Sequence, residues 1–210
     1  MTKRALIVWG GWEGHTPKAC ADLFAPWLER QGFEVDVANS LEVYGDEDRM
    51  GGLNLVVPLW TMGEISGEQS AGLLKAVADG VGIAGFHGGM CDSFRTNTDY
   101  QWMTGGQWVA HPGGCIPRYE INIIDREHEI TAGIDDFELC NTEQYYMHVD
   151  PCNHVLATTT FSEGCVIPAA WTKMWGNGRV FYASFGHTDK DFEVPQALEL
   201  VQRGMLWASR

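Results

Sequence analysis

Basic residues are scarce in this chain: 14 Lys and Arg stand against 28 Asp and Glu, a formal net charge of −14 over 210 residues. Binding to nucleic acid or to anionic lipid draws on a basic face, so the charge argues against both as partners. Long apolar runs are missing too, and no stretch approaches the ~18 residues of a membrane-spanning helix. Met1-Thr2-Lys3-Arg4 passes straight into a strand-like run with no extended apolar region or small-residue cleavage site, unlike a secretory leader. The six cysteines (Cys20, Cys91, Cys115, Cys140, Cys152, Cys165) form no C-x-x-C pair. A disulfide framework or a thiolate zinc site is therefore not expected; reduced, buried thiols in a cytoplasmic protein are. Two compact signatures are also lacking. The loop Gly10-Gly11-Trp12-Glu13-Gly14 has neither dinucleotide spacing nor the Lys-Ser/Thr of a P-loop, so no nucleotide cofactor is expected, and there is no H-E-x-x-H pair.

What is present describes an ordinary globular composition, 45% hydrophobic and 20% charged. The length suits one domain over residues 1–210 with a substantial core. Nine tryptophans are many for this length. Most belong in a core, but aromatic faces also stack on sugars, which favours a carbohydrate ligand over a phosphorylated one. Aromatics left on the surface would point to a homo-oligomer.

The first half alternates strand and helix signals. Apolar runs at 5–9, 33–37, 54–59 and 81–86 are bounded by glycine or polar turns and read as buried parallel strands. Thr16 and Pro17 open a helix that Gly32 closes, with Pro26 inside it as a kink or break. Ser66 and Gln69 form a capping box for a helix to about residue 79. The polar loop at 45–52 is expected to be mobile. The second half shows alternation at 119–124 and 155–159, a short run at 165–167, and two segments, 170–175 and 179–183, around the hairpin signal Gly176-Asn177-Gly178. Pro195 starts a terminal helix to about Ala208. The expectation is an α/β fold, a mostly parallel sheet with right-handed crossovers flanked by helices.

The most informative segment is Gly85-Phe86-His87-Gly88-Gly89, an apolar strand that ends at a histidine and turns through two glycines. This is the frame of a nucleophile elbow with an imidazole in the nucleophile's place. His15, His111 and His187 also sit beside glycine or proline at element ends, where binding groups concentrate. Glu143 lies among aromatic residues in a partly buried stretch, where a carboxylate must be paired, hydrogen-bonded or metal-bound. His15, His87, Glu143 and His187 are the candidate metal ligands, zinc being the ion best suited to imidazoles with one carboxylate. His87, Glu143 and His187 are also the candidate catalytic residues. Trp12, Trp60, Asp92, Arg95 and His111 are candidates for substrate binding, and Trp102 and Trp108 flank Gly105-Gly106 at a candidate lid. For each of these a purely structural role is the competing reading. His148 has no assigned role.

At these residues the chain resembles the ThuA-like (trehalose-utilisation) family of the class I glutamine amidotransferase-like superfamily. The resemblance runs from the first strand and His15 through the elbow, Gly105-Gly106 with His111-Pro112, Glu143-Gln144-Tyr145, Pro168-Ala169-Ala170-Trp171-Thr172, and Gly176-Asn177-Gly178 to Gly186-His187. It implies a flavodoxin-like three-layer sandwich and a role in disaccharide or keto-sugar catabolism. Glutaminases of that superfamily carry cysteine where His87 stands, which argues against an amidotransferase, and Cys91 is a poor substitute. The expected function is a metal-assisted enzyme, of hydrolase or isomerase type, acting on a disaccharide or keto-glycoside. The alternatives are a noncatalytic sugar-binding or sensing protein and metal-free acid–base hydrolysis.

Overall fold

The computed structural model describes residues 2–210; Met1, the start of the N-terminal reading, lies outside them. The strands of the first half are Lys3–Gly11 (β1), Phe33–Ala38 (β2), Leu55–Thr61 (β3) and Gly82–Phe86 (β4). They are followed by Gly106–Ala110 (β5), Cys115–Ile123 (β6), Phe137–Glu143 (β7) and Tyr146–Val149 (β8). The last three are His154–Thr160 (β9), Val166–Trp175 (β10) and Gly178–Ala183 (β11). The helices are Pro17–Arg30 (α1), Glu47–Gly51 (α2), Gly67–Ala78 (α3), His87–Cys91 (α4), Thr98–Thr104 (α5) and Pro195–Ala208 (α6).

Nine strands form one mixed sheet in the order β2-β1-β3-β4-β11-β10-β9-β6-β7, and β5 pairs with β8 in a separate ribbon. The pairings from β2 to β11 are parallel. Those from β11 to β7 are antiparallel, which corrects the expectation of a mostly parallel sheet. The reversal begins at the hairpin, where Gly176-Asn177 joins Trp175 to Gly178, as the sequence signal predicts. The runs at 165–167 and 170–175 are one strand, β10, with register shifts around Ala170.

Alternation along the central strands divides the apolar residues between two cores. Ala5, Ile7, Leu55 and Val57 face α1 and α6, packing against Phe24, Leu28, Leu200 and Met205. Leu6, Val8 and Val56 face the other way, against Leu73 and Val77 of α3 and Met103 of α5. Burial on both faces is why these strands read as unbroken apolar runs.

Several helix ends match their signals. The Ser66–Gln69 capping box is complete, with Gln69 N donating to Ser66 Oγ and Ser66 N to Gln69 Oε1. Helix α1 runs unbroken through Pro26, held by the buried Phe24 and Leu28. Thr16 occupies its N-cap position, but its hydroxyl makes no cap bond and donates instead to Asp189. The segment at 45–52 contains α2, capped by Asp46 accepting from Arg49 N and anchored by the buried Met50. Of the cysteines only Cys20 and Cys91 are buried; Cys115, Cys140, Cys152 and Cys165 are exposed, and all six are free. No helix among the described residues is long and apolar enough to cross a membrane.

Candidate metal centre

Three of the four candidate ligands leave the sheet at the carboxyl ends of parallel strands. His15 follows β1 on a short turn, His87 follows β4, and His187 lies four residues beyond β11. This edge, near where strand order reverses, is where open α/β sheets bind ligands. Glu143 ends β7, and Thr142 Oγ1 beside it donates to Asp191 Oδ2 at 2.8 Å. The two chain regions that meet there are 49 residues apart in sequence.

The four side chains converge on one carboxylate oxygen. Glu143 Oε2 lies 3.2 Å from His87 Nε2, 3.3 Å from His187 Nδ1 and 3.8 Å from His15 Nε2. The ligand atoms all lie within 4.8 Å of one another. Donors at ~2.0–2.1 Å around a tetrahedral ion sit roughly 3.4 Å apart, so the spacing fits a zinc-sized cation.

The hydrogen bonding of the cluster is compatible with such a cation. Ser184 O can only accept, so His87 Nδ1, 2.9 Å away, is the protonated nitrogen. Burial pushes the His87 pKa down to about 3, against the Glu143 hydrogen bond that would raise it. Nδ1 thus carries a proton, and Nε2 faces Glu143 Oε2. Burial works to raise the Glu143 pKa, but the imidazoles of His15, His187 and His87 outweigh it and hold the group well below the usual carboxylate range. At 3.2 Å, Nε2 and the carboxylate oxygen share either a proton or a bound cation. His187 Nδ1 is buried with no hydrogen-bond partner, as is His111 Nδ1, 3.8 Å from Glu143 Oε1. Buried polar atoms are rarely left so. The donor set and its orphaned nitrogen fit a bound divalent ion.

The surrounding shell fixes these rings. His15 Nδ1 lies 2.8 Å from Thr61 Oγ1, which turns Nε2 toward Glu143. Tyr145 stacks on His87 with centroids 3.7 Å apart. Tyr182 donates to His87 O and Tyr119 to Glu143 O, both at 3.0 Å. Gly88 is required by close approach: a Cβ there would lie 2.5 Å from His15 Cε1 and 2.9 Å from the Tyr145 hydroxyl. Among the described residues, the non-glycine positions with left-handed φ are Thr16, Met62, His87, Phe94 and Asn141. Each is a residue of this region or lies within two positions of one. Such strain, on the order of 1 kcal/mol or more per residue, gathers at functional sites.

The remaining candidates divide. Trp12, 46% exposed, meets His15 edge-on with ring centroids 4.7 Å apart. Buried Asp92 holds Arg95 through two hydrogen bonds, and the Arg95 guanidinium lies 4.4 Å over Trp108. Trp108 is 5.5 Å from His111, which completes this wall. Trp60 is not brought to the cluster; its ring packs over Gly10 and Gly63 beside the second core. Trp102 lies out against Trp175, and His148 is exposed on the β5–β8 ribbon. Thr61, Tyr145, Ser184 and Asp191 were not singled out in the sequence. Only Tyr145, next to Glu143 in a polar-aromatic run, carried a signal.

Comparison with known proteins agrees with this architecture. A family model described as trehalose utilisation matches residues 4–208. Among solved structures, a ThuA-like protein from Bacteroides uniformis ATCC 8492 superposes with a TM-score of 0.82 at 17% identity, covering 98% of this chain and 91% of its own. A ThuA-like protein from Parabacteroides merdae ATCC 43184 gives 0.77 at 18% identity, covering 99% and 90%. A cytoplasmic protein from Salmonella typhimurium LT2 gives 0.69 at 13% identity, covering 98% and 97%. No curated protein matches the chain. At these identities the structural likenesses speak for the fold alone.

Proposed function

The chain belongs to the trehalose-utilisation (ThuA) family, and from that premise we propose a metal-assisted enzyme acting on a disaccharide or keto-glycoside. The observation that carries this reading is the convergence of His15, His87 and His187 on Glu143 Oε2, with all four ligand atoms within 4.8 Å of one another. These four residues hold the ion, with zinc the best match to three imidazoles and one carboxylate. A bound divalent ion supplies Lewis-acid polarisation of a sugar carbonyl or hydroxyl.

The protein's own groups supply the rest. His111 stands partly exposed beside Glu143, with its buried Nδ1 3.8 Å from Oε1, and its ring offers a group to carry a proton. Arg95 is already bidentate to Asp92 and adds no free positive charge, so the wall it forms with Trp108 suits a neutral sugar rather than a phosphate ester. Trp12 offers an exposed aromatic face beside His15. Glutamine hydrolysis is not supported: His87 occupies the elbow, and Cys91, buried below it, has its thiol pushed well above the ordinary range by burial. The order β2-β1-β3-β4-β11 follows the 2-1-3-4-5 arrangement of flavodoxin-like sheets, and we read the parallel half as that sandwich. We place the protein in the cytoplasm.

Turnover of a keto-disaccharide by zinc- or manganese-loaded protein, compared with His87→Ala, tests the proposal. The variant should lose turnover and keep its melting temperature within a few degrees of that of the metal-free parent. Full activity in the variant contradicts the mechanism. A sugar that raises the melting temperature without being consumed supports a binding or sensing role instead.

A further inference from the structure

Asp191 is buried, 7% exposed, and no ligand atom of the cluster touches it. Its Oδ2 nevertheless accepts three hydrogen bonds, from Thr142 Oγ1 at 2.8 Å, His187 N at 2.8 Å and Gly186 N at 3.2 Å. Two of these donors are the backbone of the loop that carries His187, and the third is the residue preceding Glu143. The same segment also reaches the third loop, since Thr16 Oγ1, next to His15, donates to Asp189 Oδ1 at 2.9 Å and accepts from Asp189 N at 3.1 Å.

The need for such a clamp follows from topology. His15, His87 and His187 stand on loops of the parallel half, whereas Glu143 ends β7 at the far antiparallel edge of the sheet. Sheet hydrogen bonds alone do not set their separation, because four strands intervene between β4 and β7. Apolar packing does not set it to a few tenths of an ångström either. A carboxylate with three donors does, because each hydrogen bond is charge-assisted and directional.

We propose that Asp191 is a positioning residue for the metal centre, joining the His187 loop to the Glu143 strand so that Glu143 Oε2 and His187 Nδ1 meet at ligand spacing. This rests on the metal reading above. Partners that orient ligands without touching the ion change affinity by about 10–100-fold when removed, which is the effect expected here.

The test is a competitive zinc titration against a chromophoric chelator, with melting temperature measured alongside, on the parent, Asp191→Ala, Asp191→Asn and a core control, Leu200→Ala. Asp191→Ala should weaken zinc binding at least tenfold, and Asp191→Asn, which keeps an acceptor oxygen, should recover most of it. Leu200→Ala should lower the melting temperature while zinc affinity stays at the parental value. If Asp191→Ala does not fold, Thr142→Val removes one donor and should weaken zinc binding in the same direction. Parental zinc affinity in Asp191→Ala, or in a folded Thr142→Val where the former is insoluble, overturns the inference and leaves the metal reading standing. A parent that takes up no zinc overturns both.

Discussion

Replacing Gly88 by alanine adds a single methyl group at the most crowded point of the cluster. The new Cβ would stand 2.5 Å from His15 Cε1 and 2.6 Å from its Nδ1, with the Tyr145 hydroxyl 2.9 Å away. Ordinary carbon contacts lie at ~3.5–4.0 Å, so the methyl intrudes by roughly 1 Å. Tyr145 is pinned by its stack on His87, whereas His15 sits on a short turn after β1 and is the group that yields. Its 2.8 Å contact with Thr61 then breaks and Nε2 leaves the cluster. Overpacking of this kind costs about 1–3 kcal/mol of stability. Zinc affinity should fall by about 10–100-fold, or 1.4–2.7 kcal/mol, as for other mispositioned ligands. The assay is chelator competition on folded protein. Gly67→Ala serves as control, because nothing lies within 4 Å of its added Cβ. Zinc affinity equal to the parent's in Gly88→Ala refutes the claim that His15 is held as a ligand by this contact.

Other outcomes follow from the same geometry. In the parent, zinc at 100 times its dissociation constant should add about 2.7 kcal/mol of stability, or about 5–10 °C at this chain length; Glu143→Gln should abolish the shift in a thermal melt. Alkylation of the native protein at mildly alkaline pH should modify Cys115, Cys140, Cys152 and Cys165, as mass spectrometry would show. It should spare Cys91 and Cys20, whose thiols burial pushes up, the latter to about 12; rapid labelling of either contradicts their burial. Asp150 has its pKa lowered chiefly by the Lys173 hydrogen bond, so its stabilisation is full above the ordinary carboxylate range and fades as pH falls through the folded value. Asp150→Asn should therefore cost up to about 1 kcal/mol in urea unfolding at pH 7, and the gap should close in acid.

The parallel half was legible because its cause is local. Strands buried on both faces must be apolar throughout, and Gly85 and Gly88 mark close approaches where an added Cβ would fall within 3 Å of a neighbour. The elbow at His87 was readable for that reason, and φ of 46° there shows the sharp turn it makes. The antiparallel half was less so. In β7, Glu138 and Cys140 alternate onto the exposed face of an edge strand, Asn141 with φ of 53° breaks the alternation, and the apolar positions left over are too few to announce the strand. That placement also explains why Cys140 is exposed where a buried thiol was expected. Thr61 and Asp191 were invisible for another reason: their partners, His15 and Thr142, are 46 and 49 residues distant, and nothing in a threonine or aspartate among loop residues signals such a contact. Trp60 followed a strand-end rule correctly, yet its ring turned to cover Gly10, where only a glycine leaves room.

The central claim is that His15, His87, Glu143 and His187 together hold a cation. Elemental analysis of protein purified without a histidine tag, beside the His87→Ala variant, tests it most directly. The account predicts close to one equivalent of a divalent metal in the parent and little in the variant. No metal in either protein, even after incubation with zinc or manganese, would contradict it.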